Sequence, residues 1–285
     1  MSPEMPMENQ EKLTANAFSV DLEDWYQGVT STSARREQWG TYEQRVEKNT
    51  IRLLGLLEQY NIKATFFVLG CVAKEHPDLI RQIDTAGHEI GIHGYWHRMI
   101  HRLTPDQFAQ ELDLAIETIT PLVSKPIIGH RAPYFSINKS ALWALEIIEK
   151  RGFKYDSSFF PTRNVLYGYP DCPRQPHRPN QSNLVEFPLS VVSLGRATIP
   201  FSGGLYVRAL PYPIVRRFIR QTNKKGMPVI MYMHPWELDA EHRYTKVTMR
   251  EYIVQYTGRA GLERKLHHLF NEFQFGTMGE LYEAY

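Results

Sequence analysis

The chain has 285 residues, 42% of them hydrophobic, which is ample for one large core, and its 33 basic and 31 acidic residues leave a net charge of +2. That near balance excludes the broad cationic field with which nucleic-acid binders neutralise phosphates, so nucleic acid is not expected as a partner. Two cysteines, Cys71 and Cys172, cannot build a disulfide framework. No apolar run reaches the roughly 20 residues of a membrane-spanning helix. The expectation is a cytoplasmic protein without a transmembrane segment, free to associate peripherally with export machinery.

Residues 1–16 read as a polar tail with no apolar stretch that would serve as a secretory signal. A short strand over 17–20 then runs into Asp21-Leu22-Glu23-Asp24, three carboxylates at the carboxyl end of a strand, where ligands collect in α/β folds. The spacing of Val46, Ile51, Leu53, Leu54, Leu56 and Leu57 predicts a helix over 41–60, and 64–69 is an almost continuous apolar strand. The same beat recurs with a helix over 77–86, a strand over 88–92, a long helix over 105–123, a strand at 127–128 and a helix over 139–151 before Tyr155-Asp156. Such alternation implies parallel strands with helical crossovers, closed most naturally as a barrel. Residues 161–183 are rich in Pro, Asn and Arg and read as an excursion loop. Strands over 184–189 and 191–194, a sharp turn at Ser202-Gly203-Gly204, a helix over 213–224, a strand over 229–233, a helix over 261–273 and a terminal segment over 275–285 complete the chain. We take 17–285 as a single domain with a C-terminal extension from about 238.

The segment His93-Gly94-Tyr95-Trp96-His97 can aim two imidazoles at one ion, provided the backbone bends or winds as a helix, and Gly94 permits either. Two histidines and a carboxylate are one common ligand set for a hydrolytic divalent ion. Three acids crowded at the end of a strand repel one another unless a cation or a shared proton relieves them. Alternation along an extended chain puts Asp21 and Glu23 on one side, whereas a turn after Leu22 presents Asp24. His234 ends the apolar strand over 229–233 and could protonate a leaving group from the same rim. Arg131, followed by Ala-Pro at another strand end, is suited to orient a carboxylate through its planar fork. His88 and His130 are the other histidines to follow. Trp25, Tyr26, Trp96, Tyr134, Tyr206 and Trp236 fall near the rim, where aromatic faces hold sugar rings or simply pack.

Taken together, FSVDLEDW, HGYWH, HRAPY and MYMHPWE resemble, in order, the motifs of the NodB-homology polysaccharide deacetylases, carbohydrate esterase family four. SGGLYVRALPY, HPWELD and GLERKLHHLFNEFQFGTM resemble the members encoded with exopolysaccharide export and exosortase (PEP-CTERM-type) systems. The resemblance implies an α/β fold, a distorted (β/α) barrel, and a hydrolase that uses one divalent ion, Zn2+, to remove acetyl from N-acetylhexosamine units of an exopolysaccharide or its precursor. Carried over by position, Asp21 would be the general base and His93 and His97 metal ligands, with Glu23 or Asp24 as the third. Arg131 would tether Asp21, His234 would be the general acid, and the backbone N–H of Tyr134 would help stabilise the oxyanion. DLED stands where the family usually has adjacent aspartates, and Gly94 where it has Ser or Thr. Pro235 follows the last histidine in place of an acid, so the acid that tunes His234 is expected elsewhere, at Asp156 or Glu186. The rival readings are an amidohydrolase acting on a small non-sugar amide and a sugar-binding barrel without turnover.

Overall fold

The computed structural model describes residues 16–28, 30–163, 168–179, 182–195, 197–243 and 248–285. The tail expected over 1–16 lies outside them except for Asn16, as do 164–167 and 180–181 of the expected excursion. In chain order the regular elements begin with β1 (Asn16–Leu22), α1 (Val46–Gln59), β2 (Thr65–Val68), α2 (Gly70–Glu75), α3 (Pro77–Thr85), β3 (Glu89–Ile92), α4 (Pro105–Ile119), β4 (Gly129–His130), α5 (Trp143–Lys150), β5 (Tyr155–Asp156) and β6 (Val185–Glu186). There follow β7 (Val191–Leu194), β8 (Ala197–Pro200), α6 (Gly204–Ala209), α7 (Tyr212–Asn223), β9 (Ile230–Met233), α8 (Met249–Tyr256), α9 (Arg259–Glu272), β10 (Phe275–Gly276) and α10 (Met278–Ala284).

The main sheet is parallel throughout. From β1 it runs through β2, β3, β4 and β5 to β6, while β9 and β10 also pair with β1. Among the described residues no ladder joins β6 to β9, so the sheet is a half-barrel, consistent with the distorted (β/α) barrel. An antiparallel β7–β8 hairpin lies apart from it. No helix of the described residues is long and apolar enough to cross a membrane.

Alternation along the strands decides which side chains reach the site. On β1, Phe18, Val20 and Leu22 join the large cluster under the helices, while Ala17 joins the inner cluster with Phe67, Tyr155 and Tyr232. Ser19 and Asp21 therefore project inward with Ala17. By the same period Ile90 and Ile92 face the helices and His93 turns in; Met231 and Met233 face out and His234 turns in. Arg131 is fully buried on the inner side, and its neighbour His130 points outward against Phe108 and Phe153.

Several boundaries differ from expectation for identifiable reasons. α1 starts at Val46, not near 41, because the Asp24 carboxylate accepts the backbone N–H groups of Arg45 and Val46 at 2.6 and 3.0 Å, capping the helix from the turn after β1. The strand expected over 184–189 is only Val185–Glu186 and is followed by Pro188, which cannot donate to a ladder. The turn expected at 202–204 is instead the entry to α6. α2 and α8 were not anticipated: α2 is too short to show a period, and α8 buries little apolar surface.

Candidate metal centre

Residues four apart in HGYWH converge through a bend, not a helix. Gly94 (φ 76°) and His97 (φ 54°) both adopt the left-handed region, folding the segment back on itself. A Cβ on Gly94 would also come within 3.3 Å of Pro133. The loop is then pinned from two sides. The N–H groups of Gly70 and Cys71 opening α2 donate to the Gly94 and Tyr95 carbonyls at 2.9 and 3.2 Å. Across from them, Glu111 of α4 accepts Tyr95 N–H and Trp96 N–H on one carboxylate oxygen and pairs with Arg98 through the other. Gly70 has no alternative here, since a Cβ would lie 2.2 Å from the Tyr95 ring.

This bend brings ligand atoms of Glu23, His93 and His97 within 4.8 Å of one another, all buried. His93 Nδ1 donates to the Arg131 carbonyl at 2.9 Å, which fixes the tautomer and leaves the Nε2 lone pair facing the cluster. Burial, and then the neighbouring His97, hold His93 well below its ordinary value, so it is a neutral donor. Burial alone would raise the Glu23 carboxyl, but the His97 and His234 imidazoles bring it below the usual range. Glu23 Oε2 sits 2.9 Å from His97 Nε2, yet among the described residues this buried oxygen has no hydrogen bond of good geometry. An oxygen and a ring nitrogen that close, unaligned with each other and joined by a second imidazole, fit a divalent ion such as zinc.

Asp24 is not part of this set. Its carboxylate is committed to Trp25 N–H and to the start of α1, so of the two acids only Glu23 lies in the cluster. The backbone turns after Leu22, and that turn sends Asp24 away from the inner face.

Asp21 flanks the cluster on one side. Its Oδ1 accepts Arg131 Nη1 at 2.8 Å and its Oδ2 lies 3.9 Å from His93 Nε2. The Arg131 fork gives Asp21 one hydrogen bond and spends the rest elsewhere: Nη1 also donates to Ser19 Oγ, Nε to the Ser157 carbonyl and Nη2 to Ser157 Oγ. The guanidinium lies over the Phe67 ring, 4.1 Å from its centroid. His234 flanks the other side, its Nε2 3.4 Å from Glu23 Oε1 and its ring stacked on Trp236 at 5.0 Å. Trp236 Nε1 also donates to Glu23 Oε1.

The acid that partners His234 is Glu237, three residues on, and neither Asp156 nor Glu186. Its Oε1 accepts from His234 Nδ1 at 2.8 Å and its other oxygen pairs with buried Arg208. Burial opposes the shift, but Arg208 and then His234 pull Glu237 down to about 2. For His234, burial is outweighed by Glu23 and then Glu237, which raise it to about 9. Asp156 instead binds outward-facing His130, at 2.7 Å, and burial beside Asp156 pushes Glu186 well above the carboxylate range. The pattern His-Pro-x-Glu, an N-cap with an acid at N3, was the available signal for Glu237. A charged residue on the buried stripe of Phe108, Leu112 and Ala115 was the signal for Glu111.

Tyr134 and Phe135 are non-glycine residues with φ of 56° and 48°, a conformation that costs on the order of 1–3 kcal/mol each, and the residues just before them are anchored by Arg131 Nη2 donating to Ser157 Oγ and Ala132 N–H donating to Ser158 Oγ. Tyr134 packs its ring on His97 at 4.3 Å. Trp25 and Tyr26 pack in an aromatic cluster with Tyr42, Trp96 is 37% exposed at the rim, and His88 is a buried acceptor for Ala64 N–H.

Residues 31–155 match the family described as polysaccharide deacetylase, and residues 157–283 match a domain of unknown function, DUF3473. Over 107 residues the chain is 35% identical to a peptidoglycan deacetylase of Helicobacter pylori, a stretch that is 38% of this chain and 36% of that protein. The chain spans about a third to a half of the length of the curated relatives it matches. Among solved structures, a candidate polysaccharide deacetylase of Mycobacterium smegmatis superposes with a TM-score of 0.65 at 22% identity, covering 99% of this chain and 94% of that one. PuuE allantoinase superposes with a TM-score of 0.61 at 14% identity, covering 96% and 92%. At these identities the likeness is one of fold.

Proposed function

We propose that this chain, which matches the polysaccharide deacetylase family over residues 31–155, is a metal-dependent N-deacetylase formed by a single domain over 17–285. Its substrate is a polysaccharide bearing N-acetylhexosamine units. The observation that carries this is the meeting of Glu23, His93 and His97 between an Asp21–Arg131 pair and a His234–Glu237 pair. A module that only bound sugar would need none of these flanking pairs.

Glu23, His93 and His97 would hold a divalent ion, which would supply Lewis acidity to the water and to the acetamide carbonyl. Asp21 accepts the proton of the attacking water on Oδ2 while Arg131 keeps Oδ1 in place. As the water oxygen bonds to the carbonyl carbon, the C=O electron pair moves onto oxygen, where the Tyr134 backbone N–H donates. His234, with Nε2 toward the centre and Nδ1 on Glu237, gives its proton to the amide nitrogen as the C–N bond breaks. Acetate and a sugar amine leave.

The C-terminal sequence segments support an exopolysaccharide as the polymer, and the Helicobacter pylori relative supports peptidoglycan as a second reading. Acetate release is to be measured from N-acetylglucosamine oligomers, exopolysaccharide and peptidoglycan. The expected result is turnover that chelator abolishes and Zn2+ restores. Turnover untouched by chelator would remove the metal from the mechanism, and faster release from peptidoglycan would replace the exopolysaccharide assignment.

The pH profile tests the Glu237 assignment. Glu237 holds the His234 proton to higher pH than a free imidazole would keep it, so activity is expected to fall on the alkaline side as His234 deprotonates. Glu237→Gln removes a negative charge from His234 and is expected to move the alkaline limb down by about 1–3 pH units, the usual effect of losing a close opposite charge. An unmoved limb would show that Glu237 does not tune the acid.

A further inference from the structure

We infer that the outer face of α7 is a docking surface for an anionic phospholipid membrane, separate from the metal centre and independent of its chemistry. The near balance of charge over the whole chain conceals a local excess: residues 187–236 hold seven basic residues and no acidic one. Five of the seven, Arg216, Arg217, Arg220, Lys224 and Lys225, come from α7 and the turn that ends it, and they line one hollow of about 570 Å³. Arg217, Arg220 and Lys224 stand at i, i+3 and i+7, a single stripe of the helix. A solvated helix face commonly answers its cations with acids at helical spacing. Here Glu272 of α9 takes Arg216 and Arg220 together, while Arg217, Lys224 and Lys225 pair with no carboxylate among the described residues. Such a cluster of uncompensated cations is what anionic head groups attract.

A membrane is favoured over a dissolved polyanion by the two apolar side chains that bracket the cations. Leu194, at the tip of the β7–β8 hairpin, is 69% exposed, and Ile214, on the first turn of α7, is 39% exposed. Hairpin and helix meet at a smaller hollow lined by Val192 and Ser193 of β7 and by Gln221 and Lys225. Exposed Arg174, which donates to the Ser193 and Thr198 hydroxyls, adds a further cation at that border. Aliphatic side chains gain from the interfacial layer of a bilayer and little from a soluble acidic polymer. The apolar side of α7 itself, Val215 and Ile219, packs in the core, so the helix lies against head groups and does not sink among acyl chains. Residues 224–229 alone separate the end of α7 from β9, which then runs up to His234. Lys224 and Lys225 therefore sit at the end of the sheet away from the metal centre, and a bilayer docked on this flank leaves that centre open to a polymer.

The test is co-sedimentation of the full chain with vesicles of phosphatidylcholine alone and of phosphatidylcholine mixed with phosphatidylglycerol, beside binding to a soluble polyuronate. Binding to the mixed vesicles that neutral vesicles do not share and that added salt releases is the expected result. Arg217→Glu, Lys224→Glu and Lys225→Glu combined are expected to weaken it at least about tenfold with native circular dichroism retained, and the same three positions changed to Gln serve should the acidic variant unfold. Leu194→Ser with Ile214→Ser is expected to weaken vesicle binding at least about threefold and to leave polyuronate binding as it was. No binding to mixed vesicles, equal binding to neutral ones, or binding undiminished in a folded charge variant overturns the docking surface. Tighter binding to polyuronate than to mixed vesicles, indifferent to Leu194→Ser and Ile214→Ser, overturns the membrane as its occupant.

Discussion

Asp21→Asn is expected to lower acetate release by about 10²–10⁴-fold, the usual contribution of a positioned general base, while leaving metal content unchanged. The amide keeps the shape and the hydrogen bond from Arg131 but cannot take a proton from water. Metal content separates this role from ligation: Oδ1 is engaged by Arg131, and the three candidate ligands are Glu23, His93 and His97. Elemental analysis of the purified variant alongside its turnover decides the matter. Full activity would remove Asp21 from the mechanism, and loss of the metal would make it a ligand.

Arg131→Met is expected to cost about 3–5 kcal/mol of unfolding free energy, because it strands the buried Asp21 carboxylate without its cation. Arg131 is fully buried and Asp21 is 1% exposed, so water cannot take the place of the guanidinium. The same change releases four hydrogen bonds, to Ser19, Asp21 and twice to Ser157, which tie β1, β4 and the segment after β5 together. Denaturant unfolding provides the measure. Asp21→Asn in the same chain should cost less than the sum of the two single changes, since removing both charges leaves neither unpaired. A loss below about 1 kcal/mol for Arg131→Met alone would contradict a buried, mutually dependent pair.

Much of the site was legible because period-2 alternation is a local property. Knowing only that Val20, Ile92 and Met233 are apolar strand residues is enough to turn Asp21, His93 and His234 to the opposite face. The order of the motifs supplied the rest of the likeness. What stayed hidden depends on contacts distant in sequence. Asp24 looked equivalent to Glu23 in DLED, and only the arrival of α1 above it, 21 residues later, gives its carboxylate another occupation. Asp156 and Glu186 looked available to His234, but both sit on outward-facing positions of β5 and β6, on the far side of the sheet. Gly94 left helix and bend undecided because the deciding partners, the start of α2 and Glu111, come from two other elements.

The strand that carries Asp21 and leads into Glu23 lies in the middle of the sheet, and its neighbours come from both ends of the chain. β2 borders it along Ser19–Leu22, while β9 pairs along Ala17–Val20 and β10 along Asn16–Ala17. The boundary between the two family matches falls at Asp156, inside this continuous parallel array. A fragment cut at that boundary would leave β1 with one open edge and would contain no His234. The two segments therefore contribute strands to one sheet, and recombination that swaps either as a cassette must break the central strand's pairing before it can alter specificity.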